Sequence, residues 1–208
     1  MKLITTVIVY NIEMLNFLLK HKSDSELMNI LQDGNKLALK VLFERHYKLI
    51  LNYCFGLTGN TELSEDITQE TFFKVYDKRM LFDKKYNFKT WSLRISRNLV
   101  FDFMKKKKEL LLGDDLDYEY CDEIVGLDMT LDKNLKREVL HEHIQKLKIE
   151  QKEALVLWLY GHSYVEIAEL TSKSSQACKN LVNRAKQALI LSIKFSENEK
   201  LSEVIYEK

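Results

Sequence analysis

The 208-residue sequence contains no proline, only six glycines and only three cysteines. Average usage would supply about ten prolines to a chain of this length. Proline stops helices, and glycine and proline together punctuate turns. Their scarcity argues against a β-sandwich or barrel, which needs a turn about every 8–12 residues. An all-α protein is the expectation that remains. Cys54, Cys121 and Cys178 are odd in number and form no C-x-x-C pair. A secretory disulfide framework is thereby excluded, and a reduced, cytoplasmic compartment fits. No stretch approaches the roughly 20 apolar residues of a membrane span. Residues 2–10 are apolar for only about eight positions and lack a small-residue cleavage site, which does not suit a signal peptide. Met14 is an alternative start to Met1, and the choice stays open. His141 and His143 stand two apart, not at the i,i+4 spacing that sets two ligands on one helix face, so no metal site is expected. No phosphate loop or triad pattern is present either. An enzyme with catalytic residues, a cofactor or a small-molecule substrate is therefore not expected.

What the chain does have is apolar content, at 46%, and charge, at 30%. That combination supports soluble folded cores. The net charge of +1 hides a division into blocks. Residues 1–112 hold 19 Lys and Arg against 13 Asp and Glu, residues 113–143 hold 3 against 10, and residues 144–208 hold 10 against 8. The acidic run GDDLDYEYCDE breaks helical periodicity and reads as a flexible linker. The expected organisation is an N-terminal extension (1–23), a first helical domain (24–112), an acidic linker (113–137), a second helical domain (138–192) and a tail (193–208). Adjacent Asp114 and Asp115 read as solvated linker residues, not as an acid–base pair.

Apolar residues at helical spacing predict the elements. Leu39, Leu42, Phe43, His46, Ile50 and Tyr53 form one face of a long helix. His46 on that face reads as a core histidine. Gly56 and Gly59 are expected to break it, with Asn60 or Thr61 capping the next helix, which runs to about Arg79. A loop over 80–87 precedes a third helix from Phe88. In the second half, one amphipathic helix is expected from Ile144 to Leu159, ending at Gly161. Ser163 and Glu166 make a capping box for a short helix. After a turn over 171–174, Ser175 is positioned to cap a helix with Cys178, Val182, Ala185 and Leu189 on its inner face.

Three polar faces stand out. Asp66, Gln69, Glu70 and Lys74 fall on one stripe beside Phe72 and Phe73. The third helix mixes aromatics (Trp91, Phe101, Phe103) with Lys89, Arg94, Arg97 and Asn98, and ends in Lys105 to Lys108. Aromatic rings with cations suit single-stranded bases, and lysines neutralise phosphate. Gln176, Lys179, Asn180, Asn183, Arg184 and Lys186 lie on the last helix. A short helix, a tight turn and a polar second helix make a helix-turn-helix reader of the major groove. On pattern alone the first stripe also reads as an ordinary solvent face, the third helix as a buried helix with Trp91 in the core, and the last pair as a plain helical hairpin.

Three segments taken together resemble the extracytoplasmic-function family of RNA polymerase sigma factors. They are ELSEDITQETFFKVY, FKTWSLRISRNLVFDFMKKKK and GHSYVEIAELTSKSSQACKNLVNRAKQAL. The D-x-x-Q-E-x-F element of Asp66, Gln69, Glu70 and Phe72 is similar to region 2.2, residues 91–98 to region 2.3, and the last segment to region 4.2. The resemblance implies that Asp66, Gln69, Glu70, Phe72 and Lys74 bind core RNA polymerase. It implies that Lys89, Trp91, Arg94, Arg97, Asn98, Lys105 and Lys106 hold the unwound −10 strand of promoter DNA, with Asn98 facing a base. It assigns −35 readout to Gln176, Lys179, Asn180, Asn183, Arg184 and Lys186. An anti-sigma factor is an implied partner. Leu181 stands where the family often has arginine. The alternative is a stand-alone helix-turn-helix regulator, which would account for residues 144–192 alone.

Overall fold

The computed structural model describes residues 14, 17–111 and 140–206, with side chains described to 107 in the first stretch and to 194 in the last. The expected acidic linker and residues 1–13 lie outside the described residues. Every regular element among the described residues is helical. They are α1 (Asp24–Gln32), α2 (Lys36–Thr58), α3 (Thr61–Asp77), a 3-10 turn (Arg79–Leu81), α4 (Phe88–Leu111), α5 (Ile149–Leu159), α6 (Tyr164–Thr171) and α7 (Ser175–Tyr206). Residues 140–145 are also helical. Two compact units form: one from residues up to 51 with 66–99, the other from 52–65 with residues from 100 onward. The division passes through α2, α3 and α4, whereas the sequence placed its boundaries near 112 and 138.

The first unit is built on well-capped helices. Ser23 opens α1 with a capping box, its backbone N–H and hydroxyl both donating to Glu26 Oε2 at 2.8 Å. Those bonds hold the Glu26 carboxyl down to about 2. Asn35 Oδ1 accepts from the Leu37 N–H at the start of α2. Leu27, Met28, Leu31, Val41, Leu42, Val75, Phe82, Phe88 and Ile95 then meet in one core. Each such large apolar side chain stabilises by about 1.5–3 kcal/mol when fully buried. Gln32 Nε2 donates to the carbonyls of Arg79 and Phe82, at 2.8 and 3.1 Å, tying α1 to the 3-10 turn. His46 is buried as a core histidine. Its Nε2 lies 2.8 Å from Asp24 Oδ2, and Arg45 pairs with the other oxygen of the same carboxylate.

The second unit departs from expectation at three points. Gly56 does not break α2 but lies inside it, and the helix ends before Gly59, whose φ of +68° is a left-handed value that glycine adopts freely. The long helix expected from Ile144 is interrupted. Lys148 takes an extended ψ of 139°, so α5 starts afresh at Ile149. The break lets Ile144 and His143 bury on one segment and Ala154 to Leu157 on the next, which one straight period would not allow. Finally, Ser174 caps α7 in place of Ser175, its Oγ accepting from the Ala177 N–H at 3.1 Å. The Ser163–Glu166 capping box is present as expected. Ile167, Leu170, Cys178, Val182, Ala185 and Leu189 are buried between α5, α6 and α7.

Candidate nucleic-acid and partner interfaces

The turn between α6 and α7 contains no glycine, yet it closes tightly. Ser172 adopts the left-handed conformation itself (φ 56°, ψ 38°) and caps α6. Small polar residues visit that region at modest cost. With Cys178, Val182, Ala185 and Leu189 turned inward, the outer face of α7 carries Gln176, Lys179, Asn180, Asn183 and Arg184, all exposed. Gln176 Nε2 donates to Asn180 Oδ1 at 3.1 Å, so the two amides present a joined donor–acceptor surface. Lys186 does not join them. It is half-buried, with Nζ 3.3 Å from the ring centroid of Trp158 on α5. Its charge faces an aromatic ring inside the unit, a cation–π contact, and not outward toward phosphate. Leu181 is half-buried.

On α4, Asn87 Oδ1 accepts from the Lys89 N–H at 2.8 Å and fixes the helix start. Phe88 is buried against His46 and Phe82. Trp91 packs edge-on to Phe82 at 5.2 Å and is half-buried. From there the helix period sets the outer surface. Arg94, Arg97, Asn98, Phe101 and Lys105 fall within roughly one third of the helix circumference at 3.6 residues per turn. Arg94, Asn98 and Lys105 are exposed, while Arg97 and Phe101 are half-buried. Trp91 stands on the same side as Asn98, two turns earlier. Lys89 does not: nine residues before Asn98, it lies on the opposite side of α4. Asn98 is not buried in the core, so its amide is open to a ligand.

On α3, Asp66, Gln69 and Glu70 are exposed along one stripe. Lys74 pairs with Glu70 one turn away at 3.3 Å, an exposed pair of small energetic weight. Phe72 is placed differently from expectation. It is buried, with its ring 4.8 Å from that of Phe43, and it serves the core. The exposed aromatic is Phe73, at 66% exposure. It stands at i+7 from Asp66 and so extends the same stripe. The i, i+3, i+4, i+7 pattern beginning at Asp66 ends on Phe73, a signal the sequence carries in plain view. An exposed aromatic beside carboxylates is a typical anchor of a protein interface.

Among the described residues no helix is long and apolar enough to cross a membrane, and no His, Cys, Asp and Glu group could hold a metal ion.

Comparison with known proteins adds two family matches: Sigma-70 region 2 over residues 42–109 and Sigma-70 region 4 over residues 137–189. The chain is 25% identical over 173 residues to the ECF RNA polymerase sigma factor SigW of Bacillus subtilis, covering 75% of this chain and 89% of that one. It is 26% identical over 155 residues to SigM of the same organism, covering 74% and 93%. Two solved structures share the fold. One is the sigma factor RpoE in complex with the anti-sigma factor NepR from Bartonella quintana, with TM-score 0.64, 21% identity and coverage of 74% and 96%. The other is CnrH in complex with the cytosolic domain of CnrY, with TM-score 0.61, 20% identity and coverage of 83% and 98%.

Proposed function

The chain belongs to the extracytoplasmic-function family of RNA polymerase sigma factors, and we propose that three exposed faces divide its work. As a sigma factor it binds core RNA polymerase and directs initiation at particular promoters. Asp66, Gln69, Glu70 and Phe73 on α3 form the polymerase-docking face, with Lys74 held at its edge by Glu70. Arg94, Arg97 and Lys105 on α4 neutralise the phosphates of the unwound −10 strand. Asn98 between them presents a donor and an acceptor to a base edge, and Trp91 supports the strand two turns earlier. Gln176, Lys179, Asn180, Asn183 and Arg184 enter the −35 major groove.

None of these steps makes or breaks a bond in the protein. The chain contributes binding and orientation, and the chemistry is the polymerase's, in the cytoplasm. An anti-sigma factor is the expected regulator; one structural relative was solved in complex with the anti-sigma factor NepR.

The observation that supports the reading is the exposure of Asp66, Gln69, Glu70, Phe73, Asn98 and the outer face of α7. The test is to mix the protein with core polymerase and genomic DNA and sequence the transcript starts. Starts sharing two elements near −10 and −35 are expected. Tight, sequence-specific DNA binding without polymerase, and no new starts with it, would favour a stand-alone helix-turn-helix regulator instead.

A further inference from the structure

The outer face of α7 carries one side-chain arrangement that its residue types alone do not announce. Gln176 and Asn180 stand four apart, in the first two turns of α7, and both are exposed. Residues at that spacing are neighbours on one helix face. Gln176 Nε2 donates to Asn180 Oδ1 at 3.1 Å. An amide on its own offers an oxygen acceptor and an NH2 donor. Here one group of each amide is engaged by the other. Gln176 Oε1 is left as an acceptor and Asn180 Nδ2 as a donor. The joined pair thus presents one acceptor and one donor from two side chains.

That pattern selects among bases. In the major groove adenine offers the N7 acceptor beside the N6 amino donor. Asn180 Nδ2 can donate to N7 while Gln176 Oε1 accepts from N6. Guanine offers two acceptors, N7 and O6, so one of them would meet the Gln176 oxygen without a hydrogen between them. Thymine and cytosine each offer a single polar group on that edge, O4 or N4, which satisfies only half of the pair. Polar ends 3.1 Å apart also fit within one base pair, which takes about 3.4 Å of duplex. Two separate side chains one helical turn apart, about 5.4 Å, would span more than one base pair.

The surroundings leave this edge to the amides. α7 begins at Ser175, so the pair lies in the N-terminal part of the helix, the part that a helix-turn-helix brings to base edges. Leu181, next in the chain, is half-buried and apolar, so no guanidinium fork for guanine stands there. Lys179 and Arg184 are exposed and flank the pair on opposite sides by the helical period.

We propose that Gln176 and Asn180 act as one reader that requires adenine at a single position of the −35 element. This rests on the sigma-factor reading above and gives one base of the promoter. A pair already bonded loses less freedom on meeting its base than two independent side chains would.

The test uses holoenzyme assembled from the full chain and core polymerase. Transcript starts from a library randomised across the −35 element give the preferred bases. One position should be adenine, on either strand, and that preference should fall about tenfold in both Gln176→Ala and Asn180→Ala. The two substitutions together should cost no more than either alone, as expected of residues acting as a unit. Lys179→Met should instead weaken all sequences alike. Two analogue bases at the adenine position then identify the atoms. 7-Deazaadenine lacks the N7 acceptor and should weaken the original chain about tenfold, and Asn180→Ala no further. 2-Aminopurine lacks the N6 amino group and should weaken the original chain but not Gln176→Ala. Both alanine variants should melt with the original chain, because both side chains are exposed. The proposal is overturned if the two variants share no adenine position, if their losses add, or if the original chain tolerates both analogues. If no promoter-specific start appears at all, the sigma-factor reading fails. Duplexes selected from the same library by the chain alone then decide the pair by the same shared adenine.

Discussion

Each unit holds a charged cluster, half-exposed in the first and buried in the second, and the two are composed differently. In the first, the Asp24 carboxylate is shared by Arg45 and His46, so a negative group meets two nitrogen partners. Arg45 also donates to the carbonyls of Lys20 and Lys22 at 3.3 and 3.0 Å. In the second, Glu153 accepts from a neutral tyrosine and Lys152 donates to a neutral amide. The first cluster ties α1 to α2 with opposite charges and is a weld. The second places Lys152 and Glu153 deep inside the unit, in hydrogen bonds with an amide and a hydroxyl. What matters is which groups surround each charge and how far it is withdrawn from water.

The largest expected effect breaks the weld. Asp24→Asn leaves Arg45 and His46 facing a neutral amide and should cost about 1–2 kcal/mol in denaturant unfolding, the exposed Arg45 contributing least. The pH dependence has a definite sign. Burial alone would raise the Asp24 carboxyl, but hydrogen bonds and charge from His46 and Arg45 hold it below its usual 3.8. A depressed carboxylate stabilises the fold above its ordinary range, and that contribution is lost as pH falls through the depressed value. The unaltered chain should therefore lose stability below about pH 4 more steeply than Asp24→Asn. Equal acid slopes would show that the cluster is no weld.

A smaller effect, near zero or of opposite sign, is expected in the second cluster. Lys152→Met keeps the length and removes the charge. The charged form of Lys152 is disfavoured by burial, and losing that penalty is offset by the lost bond to Gln145 Oε1, so the net change should be within about 1 kcal/mol of zero or stabilising. The unaltered chain binds a proton more readily when unfolded, because Lys152 falls from 10.5 to about 8 on burial. Its stability should rise with pH through 8 and above, being lowest where the lysine is charged in both states. Taking the difference from Lys152→Met cancels titration by groups outside the cluster. The Glu153, His141 and Tyr53 side chains that face this cluster remain in both chains. A large loss of stability in Lys152→Met would make the two clusters alike.

The same contrast, between groups the fold consumes and groups it leaves outside, explains what the sequence made legible. The inner face of α7 and the Ser163 capping box follow from local spacing, and both stand where the pattern put them. Asn98 could not be assigned to core or solvent from its neighbours, because half of α4 is buried and half is not. Phe72 and Phe73 are adjacent, and motif resemblance selected the core member while the helical stripe selects the exposed one. The break at residues 146–148 has no proline or glycine to announce it. It arises because Ile144 and Val156 must both be buried, a demand set by packing between segments. The Tyr53–Glu153 bond joins residues 100 apart in sequence, which no local pattern encodes.

Asn98 and Lys186 sharpen the contrast at the helices proposed to meet DNA. Asn98→Ala should shift preference at one −10 position by about 1–3 kcal/mol, as for loss of a good base contact. Because Asn98 is exposed, the melting temperature should stay unchanged. Transcription from a library randomised across the −10 element, run beside a thermal melt, measures both. A uniform loss at every promoter with a lower melting temperature would move Asn98 among the groups the fold consumes.

Lys186 is expected to give the smallest effect and the reverse pattern. It carries the same charge as Lys179 and sits on the same helix, so sequence alone treats the two as equivalent phosphate contacts. They are not equivalent in place. Lys179 is exposed, whereas Lys186 lies over the Trp158 ring and is half-buried. A cation over tryptophan contributes about 0.5–1 kcal/mol when partly exposed. Lys186→Met keeps the aliphatic stem over the ring and removes the charge, so it should lower stability by no more than that amount. It should leave the salt dependence of DNA binding unaltered. Lys179→Met should do the opposite, leaving stability unchanged and reducing the slope of log affinity against log salt by about one phosphate's worth. Both are measured on the assembled holoenzyme with duplex −35 DNA over a range of salt, beside thermal melts of the free chain. Should Lys186→Met reduce the salt slope as Lys179→Met does, its ammonium must leave the tryptophan and reach the backbone when DNA binds. The −35 face of α7 would then be one cation wider than the free chain displays.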